Sequence, residues 1–419
     1  MMNAPSVHFR FGMMAACVVA ALTLAEPPAS AQQAEAGEPE WPQWLVEAMG
    51  QESLMLRARK VVLGDGMIAT RLAGKPAADP QRIDEGWYVS RDIGTGVPLE
   101  CWAFTTIVDP ATLASNIAEQ SMLASEQVNG PLGDRNLYYL DAGAYEGIPY
   151  VALEWFYAVG EAPNTLVGLA KVRVAVKDDF SFACAHNFIG YRETFALAFE
   201  QFVREAKFDG SEQAPYYEEV VLQRIGDQPI GISRSEFTLD AEGDTQIVMM
   251  EASLMPVDGK TLTTSDAWYF GWSRPDGTLI NQQVAKSENG ELAMSLALDP
   301  LEGGAWWVSG TLQGKEIDQE IDGAAAPVSE LGQMLAVQDL MADSQRQSAT
   351  VSVWVPAADP TQFLEAEVAL DPEGRGRLTM GSLSIAAEFD PSGSLLTGAL
   401  QAGAAEMVLE RIWVRGTPP

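Results

Sequence analysis

The chain has 419 residues, a net charge of −32 and 47 % hydrophobic residues. This length suits two or three domains, and the apolar and aromatic content excludes a wholly disordered chain. A polyanion of this size repels nucleic acid and anionic lipid headgroups, so no nucleic-acid partner is expected.

The N-terminus has the pattern of a cleavable secretory signal. A short positive start precedes an apolar run over 11–25, which is too short for a membrane-spanning helix. Ala29 and Ala31 then provide the small residues that signal peptidase requires. We therefore predict a signal peptide over 1–31 and a periplasmic or secreted mature chain without an integral membrane segment. Lipoprotein-type cleavage at Cys17 is the alternative.

Residues 32–54 follow as a polar leader and a short amphipathic helix. The apolar face of that helix is formed by Trp41, Trp44, Leu45 and Ala48. The tryptophans are expected to dock onto the body of the protein, and contact with a membrane surface is the alternative.

Two cysteines, Cys101 and Cys184, remain after signal cleavage. An even pair in an exported chain predicts a disulfide, and two buried thiols are the alternative. A zinc site is not expected because His186 is the only histidine left to serve as a ligand.

Residues 55–208 have the element order of an α+β domain, with an antiparallel sheet covered by helices. Asp109 and Pro110 begin a first long helix, and its predicted apolar stripe comprises Leu113, Ile117, Ala124 and Val128. Four strand-like segments follow. A closing helix then carries a second apolar stripe, formed by Phe195, Phe199, Phe202, Val203 and Ala206. This order resembles the PsbP fold shared with DcrB-type envelope lipoproteins, which implies a non-catalytic envelope module.

Residues 209–215 form a polar linker to a second, β-rich domain over 216–416. Strand patterns alternate there with Asp-Gly and Asn-Gly turns, which is typical of an antiparallel meander. A helix over Pro327–Met341, with Ser329 as a cap, interrupts the meander. We predict a β half-barrel wrapped around one helix. It resembles LolA and LolB lipoprotein carriers, which implies a concave hydrophobic face able to hold an acyl chain.

An aromatic cluster provides the candidate ligand contacts. Alternation on one strand places Trp268, Phe270 and Trp272 on one face, and Trp306 and Trp354 on other strands are candidates to join them. Aromatic side chains offer large apolar area to a lipid. The alternative is a sheet core packed under the helix.

Signals for catalysis and for cofactors are weak. No G-x-S-x-G elbow or nucleotide-binding glycine loop occurs, so no catalytic residue and no cofactor are predicted. We interpret Glu218 and Glu219 as a solvated strand edge. A plain turn is a better interpretation than a calcium site for the acidic residues around Gly243, which are Asp240, Glu242 and Asp244.

The leading hypothesis is a non-enzymatic cell-envelope protein that binds a hydrophobic ligand or a lipidated protein in its second domain and an envelope protein through its first. The second hypothesis is a scaffold of an envelope complex with no small-molecule ligand, which predicts a fully packed half-barrel. A hydrolase that uses carboxylates alone is the third.

Overall fold

The structure, a computed structural model, describes residues 42–53, 56–208, 214–323, 326–343, 345–402 and 405–418. Several predicted features lie outside the described residues. They are the signal peptide with Ala29 and Ala31, Trp41, and positions 209–213 of the linker. The chain divides into two compact units. One contains the described residues up to 208 together with Leu254–Thr264, and the other contains the remainder from 214 onward.

The first unit combines two antiparallel sheets with three helices, as expected for an α+β domain. The helices are α1 (Gln43–Met49), α2 (Pro110–Asn129) and α3 (Arg192–Arg204). The small sheet contains β1 (Ala58–Leu63), β2 (Ile68–Ala73) and β11 (Lys207–Phe208). The eight-stranded sheet contains β3 (Lys75–Pro76), β4 (Gln81–Ile83), β5 (Gly86–Asp92), β6 (Leu99–Phe104), β7 (Leu132–Tyr145), β8 (Ile148–Val159), β9 (Leu166–Lys177) and β10 (Phe180–Asn187).

Helix α3 packs on this unit through the predicted aromatic stripe. Phe195, Phe199, Phe202, Val203 and Ala206 are all buried, in one core cluster with Phe182 and the two cysteines. The i, i+4, i+7 spacing therefore identified the buried face correctly.

Helix α2 presents a different face from the predicted one. Its buried residues are Pro110, Ala111, Ala114, Ala118 and Met122. Val128 is 81 % exposed, and Ala124 is exposed as well. Small side chains on the buried face let the helix approach the sheet closely. Helix α2 begins at the predicted Asp109–Pro110 pair.

Helix α1 does not dock through Trp44, which contradicts the prediction for that tryptophan. Leu45 is buried against Phe156 and Leu169, whereas Trp44 is 54 % exposed. Leu45, and not Trp44, therefore docks the helix onto its unit.

The second unit is built on one antiparallel sheet of fourteen strands. The first run is β12 (Tyr217–Ile225), β13 (Gln228–Leu239), β14 (Thr245–Asp258), β15 (Thr261–Ser273), β16 (Leu279–Glu288), β17 (Glu291–Pro300), β18 (Trp306–Leu312) and β19 (Lys315–Ile321). After helix α4 (Glu330–Ala342), the second run is β20 (Ser348–Trp354), β21 (Phe363–Leu370), β22 (Arg375–Met380), β23 (Leu383–Phe389), β24 (Leu395–Ala402) and β25 (Ala405–Gly416).

The two runs join at β12, which pairs with both β13 and β25, so β19 and β20 are the two ends of the sheet. No pairing of β19 with β20 is seen in the described part of the chain, so the sheet is not closed into a barrel. Helix α4 packs through Leu331 and Met334 against Tyr217, Phe237 and Ile247 on one face of the sheet. Ser329 caps it by accepting a hydrogen bond from the Gly332 N–H at 3.3 Å, as predicted.

Candidate functional site

The predicted aromatic residues of β15 lie together, but on the sheet face opposite α4. Trp268, Phe270 and Trp272 alternate along the strand and are half-buried, and the rings of the last two are 6.1 Å apart. On the other face of β15, Gly271 pairs with Gln282, which lines a cavity beside α4. The trio therefore does not contribute to the surface that faces the helix.

Trp306 and Trp354 occupy different surroundings. They are 6 % and 2 % exposed, and the Trp306 ring is 6.0 Å from that of Phe363, which pairs with Trp354 in the β20–β21 register. The Trp354 indole N–H donates to the Pro360 carbonyl at 3.0 Å. Both tryptophans are core residues, so the five aromatics do not form a single site. Their role as ligand contacts stays a prediction.

The cavity beside α4 is small. It is lined by Gln282, Val328, Glu330, Gln333, Val353, Trp354, Val355 and Met380 and has a volume of about 10 Å³. That is room for about one water molecule. An acyl chain does not fit there.

An open groove of about 590 Å³ runs along α3 in the first unit. Leu56, Ala73 and Leu197 contribute apolar lining, but charged residues also line it, and Arg204 forms ion pairs with Glu146 and Glu200. Small-molecule sites are usually enclosed and mostly apolar, so this groove lacks their character.

A buried amide–carboxyl pair lies on the sheet face of the second unit that α4 covers. Glu251 alternates with Ile247 along β14, and its Oε1 accepts a hydrogen bond from Gln223 Nε2 at 2.9 Å. Burial raises the pKa of Glu251 to about 7, against the opposing effects of Gln223 and Lys286. Oε2 of Glu251 and Oε1 of Gln223 have no hydrogen-bond partner. A proton on Glu251 Oε2 is the simplest way to lower the cost of burying the carboxyl group.

Gly231 makes room for this pair. It lies opposite Gln223 in the β12–β13 register, and a Cβ there would be 2.8 Å from Gln223 Oε1 and 2.9 Å from the Ala252 carbonyl oxygen. The signal for this pair in the sequence is a lone glutamate within the apolar run of β14.

Glu218 and Glu219 are not a solvated edge, because β12 is in the middle of the sheet and both residues are buried. Ser394 Oγ donates to Glu219 at 2.7 Å and accepts from Tyr217 at 2.8 Å and Arg411 at 2.6 Å. Burial raises the pKa of Glu219 to about 7. This network connects β12 with β25 and with the turn before β24.

A second buried polar group lies in the first unit. Lys171 is fully buried, and its Nζ donates to the carbonyls of Phe188 and Gly190, the latter at 2.6 Å. Burial lowers the pKa of Lys171 to about 7. The lysine thus holds the segment that leads into α3.

His186 is a core residue next to Lys171 in the β9–β10 register. Burial lowers the pKa of its imidazole to about 3, so it is neutral. Cys101 and Cys184 form the predicted disulfide between directly opposed positions of β6 and β10. No thiolate is therefore available to this histidine.

No metal-binding cluster of three or more His, Cys, Asp or Glu residues is found in the described ranges. Asp240 Oδ1 accepts hydrogen bonds from the backbone N–H groups of Glu242 and Asp244, which makes this segment an ordinary turn. None of the described helices is both long and apolar enough to span a membrane.

No protein-family model and no curated protein matches the chain. Among solved structures it is similar to a β-barrel-like protein of the domain of unknown function DUF1849 from Brucella abortus, with 11 % identity, a TM-score of 0.39, and 49 % of this chain and 98 % of that chain covered. It is also similar to PsbP (CyanoP) from Synechocystis sp. PCC 6803, with 12 % identity and a TM-score of 0.24. That match covers 38 % of this chain and 98 % of that chain. At these values neither likeness carries an argument about function. The resemblance to LolA and LolB stays a prediction.

Proposed function

We propose that this chain is a non-enzymatic, exported cell-envelope protein that acts as a scaffold through protein contacts. The observation that carries the proposal is the packing around α4. Leu331 and Met334 occupy the sheet face where a carrier would hold an acyl chain, and the cavity beside the helix has room for about one water molecule.

The disulfide supports the exported location, because such bonds persist in oxidising compartments and are rare in the cytosol. The exposed part of α1 supports a contact role. Trp44 and Val46 are each 54 % exposed, and tryptophan is enriched where protein interfaces carry most of their binding energy.

Lipid binding is the second candidate function, and one observation favours it. Trp268, Phe270 and Trp272 form a half-buried aromatic row on the sheet face away from α4. Such a row offers adaptable apolar area to an acyl chain.

Lipid retention separates the two functions. The natively purified protein is extracted with organic solvent for mass spectrometry and titrated with a fluorescent fatty-acid analogue. We expect no stoichiometric lipid and no binding of the analogue. Leu331→Ala is the positive control. It should cost about 2–5 kcal/mol of unfolding free energy and open a cavity that admits an apolar probe. Stoichiometric lipid in the wild-type protein would contradict the scaffold and establish lipid binding.

Photo-crosslinking tests the protein contact. A photoreactive amino acid at position 44 should give one discrete cross-linked product in intact cells. The same group at Gln81, an exposed residue of β4, is the control and should not give that product. Equal labelling from both positions, or no product from position 44, would count against a partner at α1.

A further inference from the structure

Arg91 is a buried arginine whose side chain has no hydrogen-bond or ion-pair partner among the described residues. It lies on β5 between Pro76 of β3 and Leu99 of β6 and is only 4 % exposed. Its Nε is buried without a hydrogen-bond acceptor. No ion pair between its guanidinium and a carboxylate occurs in the part of the chain that the structure describes. A guanidinium cannot shed its charge at any ordinary pH, so a buried one normally requires an acceptor.

The surroundings of Arg91 add positive charge. Its pKa is lowered by burial and then by the positive charge of Arg59, an exposed residue of β1. Neither arginine forms an ion pair in the described part of the chain, although acidic residues outnumber basic ones by 58 to 26 overall. A buried charge that repels its neighbour and has no counter-charge is costly unless a ligand compensates for it.

We propose that Arg91, assisted by Arg59, forms a binding site for a small oxyanion. The planar guanidinium fork matches two oxygens of a carboxylate, sulfate or phosphate. The enclosure of Arg91 favours a small free anion over a bulky one. This site is independent of the scaffold function and of the aromatic row, and it lies in the first unit.

Thermal unfolding and calorimetric titration of the full mature chain test the site, with inorganic phosphate, sulfate and acetate as separate probes and chloride at matched ionic strength as the reference. At least one oxyanion should raise the melting temperature of the wild-type protein more than chloride does. Arg91→Met keeps much of the side-chain volume but removes the charge. It should weaken binding about 10- to 100-fold, the loss expected for one charge-assisted hydrogen-bonded pair.

Three further variants test whether anion binding depends specifically on the Arg91 guanidinium. Arg91→Lys keeps the charge but loses the fork, so its affinity should fall between those of the wild type and Arg91→Met. Arg59→Gln should weaken binding by a smaller factor than Arg91→Met. Arg377→Met removes an exposed arginine of the second unit and should bind as the wild type does.

In anion-free buffer, Arg91→Met should melt no lower than the wild type, because it removes an uncompensated buried charge. The proposal is overturned if no oxyanion exceeds chloride, or if Arg91→Met and Arg91→Lys both retain the wild-type affinity.

Discussion

Glu251 and Gln223 form a buried pair whose chemistry depends on its surroundings. Gln223 Nε2 donates a hydrogen bond to Glu251 Oε1 at 2.9 Å, next to Gly231, and each side chain has one oxygen without a partner. A protonated Glu251 is neutral and keeps its hydrogen bond from Gln223, whereas a deprotonated Glu251 is a buried charge. The described ion pair of Lys286 is with Glu288 and not with Glu251.

Glu251→Gln should therefore stabilise the protein at alkaline pH. Burial raises the pKa of Glu251 from 4.5 to about 7. At about pH 8, ionisation of this buried group therefore lowers the free energy of unfolding of the wild type by roughly 3 kcal/mol. The neutral glutamine avoids that cost and keeps a similar shape. Urea unfolding at about pH 5 and pH 8 measures the difference, and the exposed Glu365→Gln is the control. If Glu251→Gln is less stable than the wild type by the same amount at both pH values, the pKa of Glu251 is not raised.

At the scale of elements, the first unit depends on a covalent bond across its sheet. The disulfide joins opposed positions of β6 and β10, next to the aromatic stripe of α3. Since 83 positions separate the cysteines, the bond restricts a large loop in the unfolded chain.

Reduction should therefore destabilise the protein by about 4 kcal/mol in the chain-entropy model. Chemical unfolding with and without reductant measures this, and the double substitution Cys101→Ala with Cys184→Ala should be insensitive to reductant. Thiol counting on unfolded, unreduced mature protein should find none. Two reactive thiols would contradict the bond.

At the scale of the whole molecule, two buried glutamates should make stability depend on pH. Burial raises the pKa of Glu219 and of Glu251 from 4.5 to about 7. Between these values the folded state binds more protons than the unfolded state, so the free energy of unfolding decreases as pH rises. His186 acts in the opposite sense below about pH 6.5, because burial lowers its pKa from 6.5 to about 3, but the two glutamates outweigh this one group. Lys171 also acts in the opposite sense, above about pH 7, because its folded pKa is lowered from 10.5.

The free energy of unfolding should therefore decrease from about pH 5 to about pH 7 and level off or recover above that. Urea titrations across this range test the wild type against Glu219→Gln, Glu251→Gln and the double variant. The double variant should show the flattest profile. A wild-type profile that rises throughout the range would contradict the raised pKa values.

Features that depend on neighbours along the chain were predictable from the sequence. The sequence repeats one turn pattern, Asp-Pro-x-Gly, at 371–374 and at 390–393. In both turns the aspartate, Asp371 or Asp390, accepts hydrogen bonds from the backbone N–H groups two and four residues ahead. The phenylalanine stripe of α3 and the helix after Ser329 follow from periodicity and capping in the same way.

Features that depend on distant partners were decided by the tertiary structure. Alternation places Trp268, Phe270 and Trp272 on one face, but only the position of α4 determines that it is the face away from the helix. Glu219 was expected at a solvated edge because the sequence does not indicate that β25 would pair with β12. Arg91 resembles any other strand arginine until the fold encloses it. Periodicity and turn chemistry act over a few residues, whereas burial and charge compensation depend on strands that are far apart in the chain.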